Sequence, residues 1–136
     1  MDLLLEADPN ESKVREYVAK SYCYVGKVSD EIVGVYVIMP LSQGVFELMN
    51  IAVAPGHQAR GIGSALLQHT ISTAKHFGAN RLEVGTGTFG YQLAFYQKAG
   101  FRAYKIERDF FLKNYTEPVM EAGIRHKDML RFAIDL

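Results

Sequence analysis

A stretch of small and polar residues, Gln58-Ala59-Arg60-Gly61-Ile62-Gly63-Ser64, stands at the start of the longest helical pattern in the chain. The first backbone N–H groups of a helix have no partner inside the helix, and the helix dipole adds partial positive charge there. Glycines let an anionic group approach the main chain without meeting a β-carbon. The stretch predicts a phosphate or diphosphate site, although a tight turn that merely needs glycine would use the same residue types.

A second glycine-rich stretch, Gly85-Thr86-Gly87-Thr88-Phe89-Gly90, has the spacing of a dinucleotide fingerprint. Glu107 and Asp109 follow at about the distance expected of a ribose contact. The next helical pattern is short, however, and too little chain follows Gly90 for the run of parallel units that this fingerprint normally opens. We therefore interpret residues 85–90 as a mobile glycine-rich connection rather than a nicotinamide or flavin site.

The elements that must position these residues follow from the hydrophobic patterns. Two segments rich in valine, isoleucine and tyrosine, 22–28 and 31–39, flank Ser29-Asp30 and predict a β-hairpin. Apolar residues recur at helical spacing from Gly61 to Phe77, which predicts the longest helix. The remaining predictions are a strand at Leu3–Leu5, a helix from Asp8-Pro9 to about residue 20, a turn at 40–44, strands at 45–54, 81–84, 101–107 and 129–134, a helix over 91–98 and a helical turn within 114–121. This order predicts a mixed α/β sheet domain.

The composition restricts the classes of protein that are possible. A chain of 136 residues, 49% of them hydrophobic, suits one domain over residues 1–136. Basic and acidic residues both number 15, which gives no electrostatic argument for binding nucleic acid. The single cysteine, Cys23, indicates a reducing compartment. We expect a cytoplasmic protein without membrane association, because no signal-peptide pattern and no run of about 20 apolar residues is present.

Two motifs carry a resemblance to a known family. Gln58-x-x-Gly61-x-Gly63 after Ile51-Ala52-Val53-Ala54-Pro55 resembles the acetyl-CoA signature of the GCN5-related N-acetyltransferases (GNAT family). The segment Phe95-Tyr96-Gln97-Lys98-Ala99-Gly100-Phe101 resembles that family's second motif, in the family's order and at its usual separation. The resemblance covers about residues 3–107. It implies a central, mostly antiparallel sheet flanked by helices, with two strands that splay to open a slot for coenzyme A.

The resemblance also implies a cosubstrate, acetyl-CoA, and the residues that hold it. The pyrophosphate would lie on the backbone amides of Gln58, Ala59, Arg60, Gly61, Ile62, Gly63 and Ser64. The strand segment Ile51, Ala52 and Val53 would lie along the pantetheine arm, with Val53 pairing its main chain as if the arm were an added strand. The N–H of Ile51 would face the thioester carbonyl and stabilise the oxyanion formed during attack.

Two side chains occupy positions that the family uses for chemistry. An alkyl amine has a pKa near ~10 and must lose a proton before it attacks, and Glu47 stands where several members keep their general base. Tyr96 stands at the family's tyrosine position, which implies proton donation to the leaving thiolate in a ternary complex, without a covalent acyl-enzyme. Glu47 could equally be a solvated strand residue and Tyr96 a core aromatic. Phe89 departs from the pattern, because many members have asparagine there.

The acceptor is the least defined part of the interpretation. The balanced charge favours a small-molecule primary amine over a nucleic-acid-bound acceptor, and a peptide N-terminus or a protein lysine is the alternative acceptor. Asp109, Glu117 and Glu121 either neutralise such an amine or are ordinary surface acids. The tail resembles a bacterial subgroup, and its apolar residues allow a homodimer. The four histidines and one cysteine have no metal-ligand spacing, so no metal is expected. The alternative class is a non-catalytic acyl-CoA-binding sensor or interaction domain on the same scaffold, which would have no use for Glu47 or Tyr96.

Overall fold

The structure, a computed structural model, describes residues 2–58 and 61–136. Its elements in chain order are α1 (Asp2–Ala7), α2 (Glu11–Val18), β1 (Tyr22–Val28), β2 (Glu31–Ser42), β3 (Val45–Val53), a 3₁₀ helix (Pro55–His57), α3 (Ile62–His76), β4 (Arg81–Gly87), α4 (Gln92–Lys98), β5 (Arg102–Glu107), α5 (Phe110–Asn114), β6 (Met120–Glu121), β7 (Ile124–Arg125) and β8 (Met129–Asp135).

The strands confirm the predicted mixed α/β class. Six of them form a mostly antiparallel sheet in the order β1-β2-β3-β4-β8-β5, and β6 pairs with β7 in a separate hairpin. The chain divides into two compact units, one comprising the residues up to Leu82 together with Leu136, and the other residues 83–135. No helix of the described ranges is long and apolar enough to cross a membrane.

Helices cover both faces of the β1-β2-β3 segment in the first unit. Val35 and Val37 point to the face where Leu4, Val14 and Tyr17 of α1 and α2 form a buried cluster. Alternate residues of β2 point the other way, as the pleat requires. On that face the hydroxyl of Tyr36 lies 2.7 Å from Nδ1 of His69 and 2.8 Å from Oγ1 of Thr73 on α3. These contacts hold α3 over β2.

The N-terminal elements differ from the prediction. Leu3–Leu5 lies in helix α1, not in a strand, because three apolar residues carry no periodicity and leucine is a strong helix former. Helix α2 begins after Asn10, whose side chain accepts a hydrogen bond from the Lys13 amide at 3.0 Å. The helix was predicted to start at Asp8-Pro9, but the Asp8 carboxylate lies before it and accepts a hydrogen bond from the Asn10 amide at 3.2 Å. The helix ends at Val18, two residues early.

The hairpin prediction is confirmed, with one correction to its far end. Strand β1 (Tyr22–Val28) pairs antiparallel with β2 (Glu31–Ser42). Strand β2 continues to Ser42 and so includes the first part of the predicted turn at 40–44. Pro40 is accommodated where the pairing with β3 becomes irregular, between Pro40 and Ser42. The reversal itself is confined to residues 43–44, where Gly44 has a φ of 78°.

The second unit is built on the antiparallel pair β5 and β8 and on helix α4. The predicted helical turn within 114–121 is wrong. The helical residues lie earlier, at Phe110–Asn114, and Met120–Glu121 forms a hairpin strand with Ile124–Arg125. Ala122 and Gly123 both have positive φ, 53° and 76°, as a two-residue hairpin turn requires.

Candidate functional site

The start of helix α3 presents backbone donors without a side-chain cap. Gly61 is the N-cap residue, with a left-handed φ of 77°, and no side chain of the described residues caps this end. The first intrahelical bond runs from the Ala65 amide to the Gly61 carbonyl at 3.1 Å. The amides of Ile62, Gly63 and Ser64 precede that bond, so they have no intrahelical acceptor. This end of the helix fits an anionic group.

The loop before the helix is tied to strand β3. The side-chain amide of Gln58 donates to the main-chain carbonyl of Val53 at 3.2 Å. A 3₁₀ helix, Pro55–His57, fills the space between them. The predicted contacts of Ala59 and Arg60 lie outside the described residues.

Strand β3 contains a bulge that the sequence analysis missed. Val37 of β2 is opposite Asn50, and the next residue, Ile38, is opposite Leu48, so Met49 is the extra residue. A bulge bends the strand and increases its twist, and bulges are common beside active sites. This bulge lies two residues before Ile51, the residue predicted to face the thioester carbonyl. No residue type in the segment Val45–Val53 marks the extra residue, because a bulge is defined by pairing with the neighbouring strand.

Glu47 belongs to the less buried set of β3 residues. Residues alternate between half-buried and buried from Val45 to Val53, and Glu47 falls in the same set as Ile51 and Val53. It is opposite Met39 of β2. Ala52 falls in the buried set and packs with the α1–α2 cluster, which leaves its main chain as the part available to a ligand.

A buried polar group lies behind this strand. Asn50 donates to the Leu4 carbonyl at 2.9 Å and to the Tyr17 hydroxyl at 2.8 Å, and its own Oδ1 has no partner among the described residues. Burial raises the pKa of Tyr17 to about 12, although the hydrogen bond from Asn50 acts in the opposite direction. Asn50 therefore links both N-terminal helices to β3.

Tyr96 lies in the core of the second unit, on helix α4. Its ring is 5% exposed and makes edge-to-face contacts with Phe95 and Phe101, at centroid distances of 5.2 and 5.7 Å. Burial, with a smaller contribution from Tyr91, raises the pKa of its hydroxyl well above the ordinary value. The phenol therefore stays protonated at neutral pH and can donate a hydrogen bond.

The second glycine-rich stretch is neither a dinucleotide turn nor a mobile connection. Gly85 and Gly87 lie within strand β4. A β-carbon on Gly85 would collide with the sulfur of Met129, and one on Gly87 would collide with the ring of His126. These two glycines therefore provide space for side chains of the C-terminal segment.

Phe89, which departs from the family pattern, stacks on His126 with ring centroids 4.1 Å apart and planes within 8°. Nε2 of His126 lies 2.8 Å from the Glu121 carboxylate, while its Nδ1 is buried without a partner among the described residues. No sequence motif indicated this pair. In the described ranges, no group of three histidine, cysteine, aspartate or glutamate side chains could hold a metal ion.

The structure combines a mixed sheet with a helix, α3, whose first amides after Gly61 have no intrahelical acceptor. The sequence matches the acetyltransferase (GNAT) family over residues 3–101, and the chain belongs to that family. The predicted family, fold class and enzyme class of N-acetyltransferase are thereby confirmed.

Three relatives are similar over nearly the whole chain. The IAA acetyltransferase from Bacillus cereus ATCC 14579 is 46% identical, with a TM-score of 0.95 over 99% of this chain and 91% of that one. A GNAT family acetyltransferase from Elizabethkingia anophelis, solved with acetyl-CoA bound, is 41% identical, with a TM-score of 0.97 over 99% and 89%. The uncharacterized N-acetyltransferase YvbK of Bacillus subtilis (strain 168) is 43% identical over 99% of this chain and 88% of its own length.

Proposed function

We propose that the chain is an acetyl-CoA-dependent N-acetyltransferase that moves an acetyl group to a small-molecule primary amine. The observation that carries the proposal is the uncapped start of α3, where left-handed Gly61 leads into free backbone amides. A relative with 41% identity was solved with acetyl-CoA bound, which supports the same cosubstrate here. Both units would act together as one cytoplasmic N-acetyltransferase domain.

The residues of the first unit would bind and polarise the thioester. The amides after Gly61 would hold the pyrophosphate, and the main chain of Val53 would pair with the pantetheine arm. The Gln58 side chain already donates to the Val53 carbonyl, so this part of the loop is arranged beside the strand that would bind. The Ile51 N–H would stabilise the negative charge that develops on the thioester oxygen.

Glu47 would accept the proton of the attacking amine, directly or through water. The amine nitrogen forms a bond to the thioester carbon, and the carbon–sulfur bond then breaks in the same ternary complex. The half-buried position of Glu47, in the same set of β3 residues as Ile51, supports this role.

Tyr96 would stabilise the leaving thiolate by hydrogen bonding rather than by complete proton transfer. A thiol ordinarily has a pKa near ~8.5, below that of an unperturbed phenol at about 10. Burial raises the pKa of Tyr96 further. Because the thiolate is a weaker base than the Tyr96 phenolate, the proton would stay largely on the Tyr96 oxygen. The CoA thiolate would then take its proton from water.

Thermal unfolding with acetyl-CoA, free CoA and NADH tests the proposal. A ligand bound only by the native state stabilises it by about 2.7 kcal/mol at a hundredfold excess over its dissociation constant. We expect stabilisation by both CoA species and none by NADH, followed by amine-dependent release of thiol from acetyl-CoA. Absence of a shift with either CoA species would refute the proposal. Binding without thiol release over a broad set of primary amines would favour a sensor instead.

A further inference from the structure

An open surface cleft of about 440 Å³ is lined by residues of the second unit alone. It is next to the turn between β4 and α4, the helix that carries Tyr96. The side chains that give the cleft its chemistry are those of Thr88, Phe89, Ile124, Arg125, Lys127 and Asp128.

The cleft has an excess of positive charge. Arg125 and Lys127 are exposed, and neither makes an ion pair with any side chain in the described ranges. The one acid in the lining, Asp128, is already engaged, because its carboxylate accepts the Asp109 amide at 2.7 Å and lies 3.9 Å from Nε of Arg108. The whole chain has equal numbers of acidic and basic residues, so this excess is local.

The apolar part of the cleft is held in place. Phe89 stacks on His126, which the Glu121 carboxylate fixes at 2.8 Å. Ile124 and Arg125 belong to the β6–β7 hairpin, where they pair with Glu121 and Met120. Phe89 therefore lies in the turn after β4, Arg125 in the β6–β7 hairpin and Lys127 just after that hairpin.

We infer that this cleft selects an acceptor amine that also carries an anionic group, a carboxylate or phosphonate, on an apolar body. The inference rests on the proposed function and specifies its substrate class. Arg125 and Lys127 would bind the anion, and Phe89 and Ile124 would contact the apolar body. The nucleophile is the neutral amine, which the two cations do not repel.

Matched acceptors test this selectivity. The two acceptors para-(aminomethyl)benzoate and para-methylbenzylamine share the ring and the amine, and para-(aminomethyl)phenylphosphonate distinguishes the type of anion. Acetyl-CoA is kept saturating while thiol release gives kcat and KM for each. We expect kcat/KM to favour at least one anionic amine by about two- to fivefold, the range of an exposed ion pair. The preference should decline as salt is raised.

Variants assign the preference to the cleft. Arg125→Ala and Lys127→Ala should each remove much of the preference for the anionic amine by raising its KM. Arg125→Glu should reverse the preference. Lys105→Ala, an exposed cation on β5 outside the cleft, is the matched control and should keep it. Equal use of the three amines, or a preference that survives in the Arg125→Ala/Lys127→Ala double variant, would overturn the inference while leaving acetyl-CoA binding and the proposed function intact. If the wild-type chain neither bound acetyl-CoA nor released thiol with any amine, both the proposed function and this inference would be refuted.

Discussion

The side-chain amide of Gln58 donates a hydrogen bond to the main-chain carbonyl of Val53, 3.2 Å away. The bond closes a six-residue turn between the end of β3 and the loop that leads to α3. It places the beginning of the loop, whereas the left-handed backbone of Gly61 places its end. The path of the loop thus depends on both ends. The left-handed backbone at residue 61 is a conformation that glycine adopts without strain.

Gly61→Ala should weaken acetyl-CoA binding and lower the free energy of unfolding. A left-handed backbone costs a residue with a β-carbon about 1–2 kcal/mol. An alanine β-carbon at residue 61 would meet no atom of residues 2–58 or 63–136 within 4 Å, so the expected cost is backbone strain. Gly56→Ala is the matched control, because it also has open space but no positive φ. Calorimetric titration with acetyl-CoA and urea unfolding measure the two effects, and equal values for the two variants would refute the assignment.

Tyr96→Phe should lower kcat by about tenfold or more while leaving the dissociation constant of acetyl-CoA nearly unchanged. The ring keeps its packing on Phe95 and Phe101, so only the hydrogen bond to the leaving sulfur is lost. Tyr91→Phe, at an exposed tyrosine on the same segment, serves as the comparison. Unchanged turnover in Tyr96→Phe would exclude the hydroxyl from the reaction.

Glu47→Gln should reduce kcat/KM for amines by about 10²-fold or more, since a positioned general base typically contributes 10²–10⁴-fold. The amide has nearly the same shape but cannot take the proton. The loss should be partly overcome at high pH, where more amine is already neutral. Stopped-time thiol assays across pH measure this, and a variant that retains wild-type rates at neutral pH would show that another group or water acts alone.

Raising the pH above 10 should destabilise the fold through Tyr17. Its pKa in the folded chain is about 12, above the ordinary value of 10.0. The folded state therefore holds the Tyr17 proton more tightly than the unfolded state does. The contribution of Tyr17 to the free energy of unfolding is fully present below pH 10 and is lost as the pH rises toward 12. Two pKa units correspond to about 2.7 kcal/mol, which solvent screening of this partly exposed hydroxyl reduces to about 1–2 kcal/mol. The free energy of unfolding, measured with urea at several alkaline pH values, should fall less steeply with pH in Tyr17→Phe than in the wild-type chain. The same dependence on pH in both would contradict the raised pKa of Tyr17. Burial raises the pKa of Tyr96 also, so Tyr96→Phe should act in the same direction.

Gly87→Ala should cost more stability than Gly85→Ala. A β-carbon at residue 87 meets the ring of His126, which its bond to Glu121 keeps in place, whereas one at residue 85 meets the flexible ends of Met129 and Arg131. Overpacking typically costs about 1–3 kcal/mol, and we expect Gly87→Ala at the upper end. In a double-mutant cycle, His126→Ala should remove most of that cost. An additive result would mean that the ring is not the obstacle.

The elements with sustained periodicity could be predicted from the sequence. Leu66, Leu67, Ile71 and Ala74 are all buried on α3, as their helical spacing indicates. Leu3–Leu5 lacked such information, because a three-residue apolar run fits a helix or a strand equally. Its helical conformation depends on packing against β2 and β3, and the local sequence carries no information about that packing.

The features that shape the candidate site were less accessible. The bulge at Met49 is not marked by any residue type along β3. It is detected only because the adjacent β2 residues Val37 and Ile38 pair with Asn50 and Leu48. A glycine letter does not reveal whether it serves a turn, as Gly61 does, or makes room for a side chain, as Gly87 does. His126 lies outside every motif, and its role depends on a contact with β4 that is distant in sequence.

The single cysteine, Cys23, lies exposed on strand β1 in the first unit and forms no disulfide. One thiol per chain means that a maleimide dye or spin label attaches at one defined position without mutagenesis. Desolvation raises the pKa of the Cys23 thiol, so labelling should be slow at neutral pH and faster in mildly alkaline buffer. The natural chain is thus suited to fluorescence or paramagnetic measurements of ligand binding.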